Sequence, residues 1–213
     1  IAKAVYLQIS EQFQCMCHIA DVREQLKCDR GLISLQEQLL KDTIREEEHI
    51  NSIEQGSILI EEKLQGKKVL LVLDDVDEHE QLKALAGKLN WFAPGSRIII
   101  TTRDKKVLEL GHVESSNIYE PEELDEEQSL ELFSMYAFKR REPDADYMQL
   151  SKKVVSYARG VPLTLKVLGS DLHNVVEKEQ WEETLQKLKK ILPDDVQEKL
   201  KISYDKLGNT EKY

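Results

Sequence analysis

Cysteine, long apolar runs and the usual motifs of covalent or zinc chemistry are scarce or missing in this 213-residue sequence. The three cysteines form no CxxC pair, which argues against a disulfide framework or a zinc site. No apolar run approaches the roughly 20 residues of a membrane-spanning helix. HExxH and GxSxG motifs are both absent. We therefore expect an intracellular protein without a membrane span.

The charge balance excludes a further class of partner. Lys and Arg total 30 against 40 Asp and Glu, which gives a net charge of −10. A negative protein has no broad electrostatic attraction for nucleic acid or anionic lipid. A hydrophobic content of 40% is enough for one or two domains with a real core. The sequence starts at Ile1 rather than Met, and we expect it to begin inside a larger protein.

Strand and helix patterns divide the sequence into two parts. The first part alternates between them, with strands predicted at 14–22, 69–73 and 97–102 and a weaker one at 117–124. Such alternation predicts an α/β domain with a parallel sheet over residues 1–122. A capping-box spacing at Ser34 and Glu37 predicts the start of one of its helices. Beyond Leu124 only helical spacing remains, so we expect an all-α domain over residues 123–192.

Two adjacent carboxylates, in KKVLLVLDDVD, follow the most apolar stretch of the chain. Val69–Leu73 shows no alternation, which is typical of a strand buried on both faces of a parallel sheet. Ligands of such sheets bind beyond the carboxyl ends of the strands, where Asp74 and Asp75 are placed. Carboxylates there suit a hydrated Mg²⁺ that also contacts substrate phosphates. The alternative is a solvated turn after a core strand.

An ordered set of motifs identifies a family resemblance that covers nearly the whole chain. The motifs are CMCHIADVRE, KKVLLVLDDVD, PGSRIIITTRD, YEPEELDEEQSLELFSMYAF, ARGVPLTLKVLGS and LKISYDKL. In this order they resemble the NB-ARC nucleotide-switch module of plant intracellular immune receptors. Asp77, which ends LLVLDDVD, resembles the residue at this position in the subclass with an amino-terminal Toll/interleukin-receptor-like (TIR) domain. The resemblance implies a P-loop NTPase fold with a doubly wound parallel sheet, then an all-α helical domain, with 193–213 starting a winged-helix domain.

The resemblance also implies roles for four charged residues. Asp74 matches the aspartate that holds Mg²⁺ through water, and Asp75 matches the residue that orients the attacking water. Arg103 matches an arginine that approaches the terminal phosphate; the alternative is a surface salt bridge with Asp104. Arg23 matches an arginine near the nucleotide, and the alternative is an exposed loop arginine.

A second motif, ARGVPL, matches the family's GLPL-type motif with Val in place of Leu. The resemblance implies that Gly160, Pro162 and Leu163 pack near the adenine. The alternative, a helix break with Gly as C-cap and Pro in the next first turn, is compatible with that role.

One motif of the family does not occur in the sequence. There is no GxxxxGK[ST] phosphate loop, whose backbone amides and lysine surround phosphates. In the family, IAKAVY continues the helix that starts with GKTT, so we expect the first strand and P-loop to be lacking. We place that strand between the Val69 and Arg97 strands and expect a vacancy in the sheet there.

The implied function is that of an ADP/ATP-dependent molecular switch with Mg²⁺, in a fragment of a plant defence receptor whose nucleotide binding is impaired. The full-length parent would be at most a slow ATPase, and the fragment itself inactive. The parent would be cytoplasmic, would self-associate on activation, and would sense a pathogen effector or guarded host protein through other domains. Two alternatives stay open: a nucleotide-independent interaction scaffold, and a non-immune signalling P-loop ATPase.

Overall fold

The computed structural model describes residues 1–27 and 30–189. It divides the chain into two compact units, of which the first ends at Tyr119 and the second begins at Glu120. The division lies close to the boundary that we predicted after residue 122. The predicted winged-helix segment at 193–213 lies outside the described residues.

The first unit, as far as it is described, is built on a parallel sheet of three strands in the order β1-β2-β3. The strands are β1 Cys15–Ile19, β2 Val69–Leu73 and β3 Arg97–Ile100. The helices are α1 Ala2–Ile9, α2 Val22–Gln25, α3 Gly31–Ile44, α4 Ile53–Leu64, α5 His79–Ala86 and α6 Lys105–Leu110. Every residue of β2 is buried, as its unbroken apolar sequence predicts for a central parallel strand.

The vacancy expected in the sheet is wrong. β2 pairs directly with β3 in a parallel register from Leu70 opposite Arg97 to Leu73 opposite Ile100. The ladder continues past the strand ends, because Thr101 N–H donates to Leu73 O at 3.0 Å and Val76 N–H donates to Thr101 O at 2.9 Å. Neighbouring strands lie only about 4.8 Å apart, so no third strand fits between them.

Two local predictions are also wrong. The capping box at Ser34 does not form, because α3 begins three residues earlier, at Gly31. Glu37 instead accepts the backbone N–H of Ile50 at 3.1 Å and pairs with Arg30 at 3.3 Å. The weak strand at 117–124 is absent from the described structure, where a short 3₁₀ turn ends at Asn117 and residues 118–124 join no strand.

The second unit is helical over its described residues, which confirms the predicted change of character. Its helices are α7 Glu126–Ala137, α8 Met148–Ala158, α9 Pro162–Asp171 and α10 Lys178–Lys189. Phe133 and Trp181 are fully buried and meet edge to face with ring centroids 6.0 Å apart. Such aromatic contacts stabilise a bundle beyond the area they bury. The α/β first unit and the helical second unit together confirm the predicted fold class.

No helix of the described residues has both the length and the apolar character needed to cross a membrane.

Candidate functional site

The carboxyl edge of the sheet places Arg23 beside the two carboxylates. Asp74 N–H donates to Ile19 O at 2.9 Å, which extends the β1–β2 ladder by one bond. The start of α2 then docks on the turn after β2, with Val22 N–H donating to Asp74 O at 2.9 Å and Arg23 N–H to Asp75 O at 3.3 Å. Backbone pairing thus fixes the position from which the Arg23 side chain reaches the site.

Thr101 ties β3 to the same turn from the other side. Its Oγ1 accepts the Asp75 backbone N–H at 2.9 Å. The same oxygen lies 2.5 Å from Asp74 Oδ1. An amide N–H can only donate, so the single hydroxyl proton is free to go to the Asp74 carboxylate. One hydroxyl from the neighbouring strand therefore contacts both the Asp74 carboxylate and the backbone amide of Asp75.

Asp75 lies between two arginines. Arg23 Nη2 is 2.8 Å from Asp75 Oδ2, and Arg103 Nε is 3.2 Å from Asp75 Oδ1. The side chains of Arg23 and Asp75 are 27% and 22% exposed, whereas that of Arg103 is 63% exposed. Asp75 itself has a φ of 55°, in the left-handed region that Asp tolerates better than most residues. The three side chains carry a net charge of +1, because one carboxylate faces two guanidiniums.

The arginine contacts differ from the alternatives considered from sequence. Arg23 is half-buried and part of a helix rather than a free loop residue. Arg103 pairs with Asp75, while the Asp104 side chain accepts the backbone N–H of Lys106 at 2.9 Å and caps α6. Arg23 Nε is also buried without a hydrogen-bond partner among the described residues. An unused donor of this kind suits an additional oxygen acceptor such as a phosphate or a water.

Asp77, the residue that indicated the family subclass, contacts Gln81 rather than the arginines of this edge. Gln81 Nε2 donates to Asp77 Oδ1 at 2.6 Å, and Gln81 Oε1 accepts the Asp77 backbone N–H at 3.0 Å. Glu78 and Gln81 also form a capping box at the start of α5. Asp77 therefore anchors the helix that leads away from the carboxylates.

The three candidate residues of the GVPL segment, Gly160, Pro162 and Leu163, belong to the second unit. Gly160 has a φ of 74° and packs closely on the chain before α7, where Leu124 N–H donates to Gly160 O at 3.0 Å. A Cβ at this position would lie 2.4 Å from Leu124 O, so only glycine fits without a shift. Pro162 begins α9 and is exposed, and Leu163 is half-buried. The break between α8 and α9 forms, and Pro162 opens α9, as the sequence predicts, but the C-cap of α8 is Arg159, with a φ of 48°, and Gly160 follows it.

Thr101 is the residue of this site that sequence reasoning missed. A threonine at the end of an apolar strand is common, since β-branched residues favour strands. The available signal is the pair of hydroxyl residues between an apolar run and Arg103 in PGSRIIITTRD. Its contact with Asp74 follows from the β2–β3 register, which places Thr101 directly after the Leu73–Ile100 pair.

The arrangement fits a hydrated Mg²⁺ better than a site with several protein ligands. No group of three or more His, Cys, Asp or Glu that could hold a metal occurs among the described residues. Asp74 is half-buried at the sheet edge and uses one carboxylate oxygen for Thr101. Mg²⁺ commonly binds one or two carboxylates and keeps several waters. One Asp74 oxygen is enough for such a role.

Cys17 of β1 is unsuited to act as a nucleophile. Cys15 and Cys17 are both buried, on the same face of the strand. Burial, with the neighbouring Asp42 carboxylate, raises the pKa of the Cys17 thiol well above its usual value. Cys17 Sγ donates to Asp42 Oδ2 at 3.5 Å. A thiol held in its protonated form does not act as a nucleophile at neutral pH.

Comparison with known proteins adds a family to this geometry. The family model described as NB-ARC domain matches residues 2–143, which include all four charged residues of the sheet edge. Disease resistance protein RUN1 of Vitis rotundifolia is 42% identical over 214 residues, covering 100% of this chain and 16% of that protein. TMV resistance protein N of Nicotiana glutinosa is 41% identical over 214 residues, covering 97% of this chain and 18% of that protein. The chain thus spans less than a fifth of the length of these relatives.

Proposed function

Because this chain belongs to the NB-ARC family, we propose that it is the nucleotide-binding switch module of a plant disease resistance protein of the TIR subclass. In this proposal ADP and ATP, with Mg²⁺, bind at the carboxyl edge of the sheet. The convergence of Asp74, Asp75, Arg23 and Arg103 at that edge is the observation that carries the proposal. Parallel sheets bind ligands at this edge, and guanidiniums are the side chains best suited to phosphate.

Arg103 has the role of reporting the terminal phosphate. It is the more exposed arginine and has the longer contact with Asp75, so it is the easier one to transfer to another anion. Its departure leaves Asp75 Oδ1 without its arginine, and that oxygen can then accept a hydrogen bond from water. Arg23 stays on Oδ2 and keeps the carboxylate oriented. Asp75 is thereby the residue that positions a water for slow hydrolysis.

Asp74 has the separate role of holding Mg²⁺ through a carboxylate oxygen or a bound water. The cation, when bound, neutralises charge on the phosphates. Asp74 is suited to this because neither arginine pairs with it among the described residues. Gly160, Pro162 and Leu163 would supply an apolar contact for the adenine, a role supported by the ARGVPL motif.

The parent protein is proposed to work in the cytoplasm as a switch in defence signalling. It would self-associate when ATP replaces ADP, and it would sense an effector or a guarded host protein through domains outside these 213 residues. The names of the relatives, which describe disease resistance, support this setting. Turnover would reset the switch, so its rate would be low.

Nucleotide affinity and its dependence on Arg103 test the proposal. The 213 residues contain no GxxxxGK[ST] motif, so we expect calorimetry to give ADP and ATP dissociation constants well above micromolar. Arg103→Ala should weaken ATP binding by roughly tenfold, the value of one charge-assisted hydrogen bond, and ADP binding less. Arg97→Ala, at the other end of β3 and exposed, is the matched control and should change neither.

Three outcomes would contradict these expectations. Submicromolar ADP affinity would show that the phosphate loop is dispensable and that binding is not impaired. Equal effects of Arg103→Ala and Arg97→Ala on ATP would remove Arg103 from the phosphate site. If neither nucleotide binds at any accessible concentration, a nucleotide-independent interaction module becomes the better description of these residues.

A further inference from the structure

We propose that Thr101 is a positioning residue that gives the two carboxylates different roles. Its hydroxyl holds Asp74 Oδ1 and the backbone of Asp75, so that Asp74 Oδ2 is directed to the cation while Asp75 faces the arginines. The inference rests on the proposed function only in assigning the cation to Asp74. The inference assigns a role to Thr101, an uncharged residue that is not among the residues given a role by the family motifs.

The direction of the hydrogen bonds at Thr101 is unambiguous. Asp75 N–H donates to Oγ1 at 2.9 Å, so Oγ1 is an acceptor in that contact. Its own proton then points to Asp74 Oδ1, 2.5 Å away. Donation by a hydroxyl to a carboxylate is a short and strong kind of hydrogen bond. Thr101 thus restrains the Asp74 side chain and the Asp75 amide with one oxygen atom.

The hydroxyl is not needed to pair the strands. The backbone N–H of Thr101 donates to Leu73 O at 3.0 Å, and its carbonyl accepts Val76 N–H at 2.9 Å. These two bonds anchor Thr101 to both sides of the carboxylate turn whatever its side chain. The extended backbone also suits a β-branched replacement without a hydroxyl. What the hydroxyl adds is therefore the orientation of Asp74.

The remaining contacts show why orientation decides which carboxylate meets a cation. Both oxygens of Asp75 face guanidiniums, Oδ2 that of Arg23 and Oδ1 that of Arg103. A cation near Asp75 would be repelled by both arginines. Asp74 has one oxygen on Thr101, and no hydrogen bond or ion pair to its second oxygen is found within residues 1–27 and 30–189. Freed from Thr101, Asp74 could rotate away from the cation or compete with Asp75 for an arginine.

The variants that test this role differ only in the hydroxyl. Thr101→Val keeps the shape and removes the oxygen, and Thr101→Ser restores the oxygen. Thr102→Val is the matched control, because within the described part of the chain the Thr102 hydroxyl hydrogen-bonds only to the backbone of Asp104, at 3.1 Å and 3.3 Å. Asp74→Asn removes the charge that is proposed to bind the cation. All are made in the full 213-residue chain, without nucleotide.

The probe is Mn²⁺ alone, which replaces Mg²⁺ and broadens the amide NMR signals near its site. We expect Mn²⁺ to broaden the signals around Asp74 in the wild type and not in Asp74→Asn. Thr101→Val should weaken the apparent affinity by about tenfold, as loss of a partner that orients a metal ligand usually does. The apparent Mn²⁺ affinity of Thr101→Ser and of Thr102→Val should stay within about twofold of the wild-type value, since each variant keeps a hydroxyl oxygen at position 101. Excess Mg²⁺ should reverse the broadening.

Each other outcome counts against the proposal. Unchanged Mn²⁺ affinity in Thr101→Val, with the Asp74→Asn effect present, would overturn the role of Thr101 and leave the metal assignment intact. Equal broadening in the wild type and Asp74→Asn would overturn both. Nucleotide binding, measured separately, would still decide the proposed function. If Thr101→Val does not fold, Thr101→Ala replaces it; if neither folds, the hydroxyl is a folding requirement and the positioning role is rejected.

Discussion

The two arginines on Asp75 should differ in how much they stabilise the first unit. The Arg23 contact is the shorter, at 2.8 Å, and its two side chains are 27% and 22% exposed. The Arg103 contact is 3.2 Å long and its arginine is 63% exposed. A largely shielded charged hydrogen bond contributes about 1.5 kcal/mol, whereas an exposed ion pair contributes roughly 0.5 kcal/mol. We therefore expect Arg23 to couple to Asp75 about three times as strongly as Arg103 does.

A pair of double-mutant cycles measures these couplings. Arg23→Ala and Arg103→Ala are each combined with Asp75→Asn, which removes the charge while keeping a residue type that accepts the left-handed φ of 55°. Amide exchange in β2, which is buried throughout, gives the free energy of unfolding of the first unit without interference from the helical unit. The cycle subtracts the weaker 3.9 Å contact between Arg23 and Glu24.

The dependence on ionic strength provides a second comparison of the two couplings to Asp75. Raising the ionic strength to about 1 M shortens the screening length to about 3 Å, and this should reduce the Arg103 coupling more than the Arg23 coupling. Equal couplings, or a larger coupling for Arg103, would refute the reasoning from burial and distance. That result would also undermine the choice of Arg103 as the arginine that transfers to phosphate.

Three further predictions concern positions away from this edge. Gly160→Ala should destabilise the helical unit by about 2 kcal/mol or more, from backbone strain plus a 2.4 Å contact with a carbonyl. Gly66→Ala is the control, because Gly66 has the same φ of 74° but open space around it, and thermal unfolding should show a loss nearer 1 kcal/mol for this variant. Gly56→Ala should lower the melting temperature by several degrees, since its Cβ would lie 2.0 Å from the buried Gln36 amide; truncating Gln36 to Ala in the same chain should recover part of the clash cost, and a purely additive double variant would contradict this. Stability should fall as pH rises above about 9, because burial raises the pKa of Cys17 above its ordinary value of 9.0 and the folded chain keeps a proton that the unfolded chain loses. The limiting slope is about 1.4 kcal/mol per pH unit, and urea unfolding of Cys17→Ala between pH 8 and 10 should lack this part of the slope.

The parts of the site that follow from local sequence were predictable. Val69–Leu73 is apolar at every position, and a strand of that kind must be covered on both faces. Its end therefore marks the edge where Asp74 and Asp75 lie. Gly160 and Pro162 are similarly local signals, since a left-handed glycine and a proline in the first turn define a helix break by their own backbone preferences.

The parts that depend on long-range pairing were not predictable from the same patterns. Nothing within Val69–Leu73 or Arg97–Ile100 states which strand lies beside which, and the assumed gap between them was wrong. Thr101 was missed for the same reason, because its contact with Asp74 exists only through that pairing. The capping box was predicted wrongly because α3 already begins at Gly31, and Glu37 accepts its hydrogen bond from Ile50, thirteen residues away, rather than acting in a first turn.

The pairing of Asp75 with two guanidiniums has a consequence for the chain when no ligand is bound. Two arginines brought together at one sheet edge would repel each other if no anion lay between them. Here the compensating anion is part of the polypeptide, at 2.8 Å and 3.2 Å from the two cations. The first unit therefore offsets part of the charge of these two arginines from within its own sequence. If the edge binds nucleotide as proposed, its arginines would not depend on that ligand for a counterion.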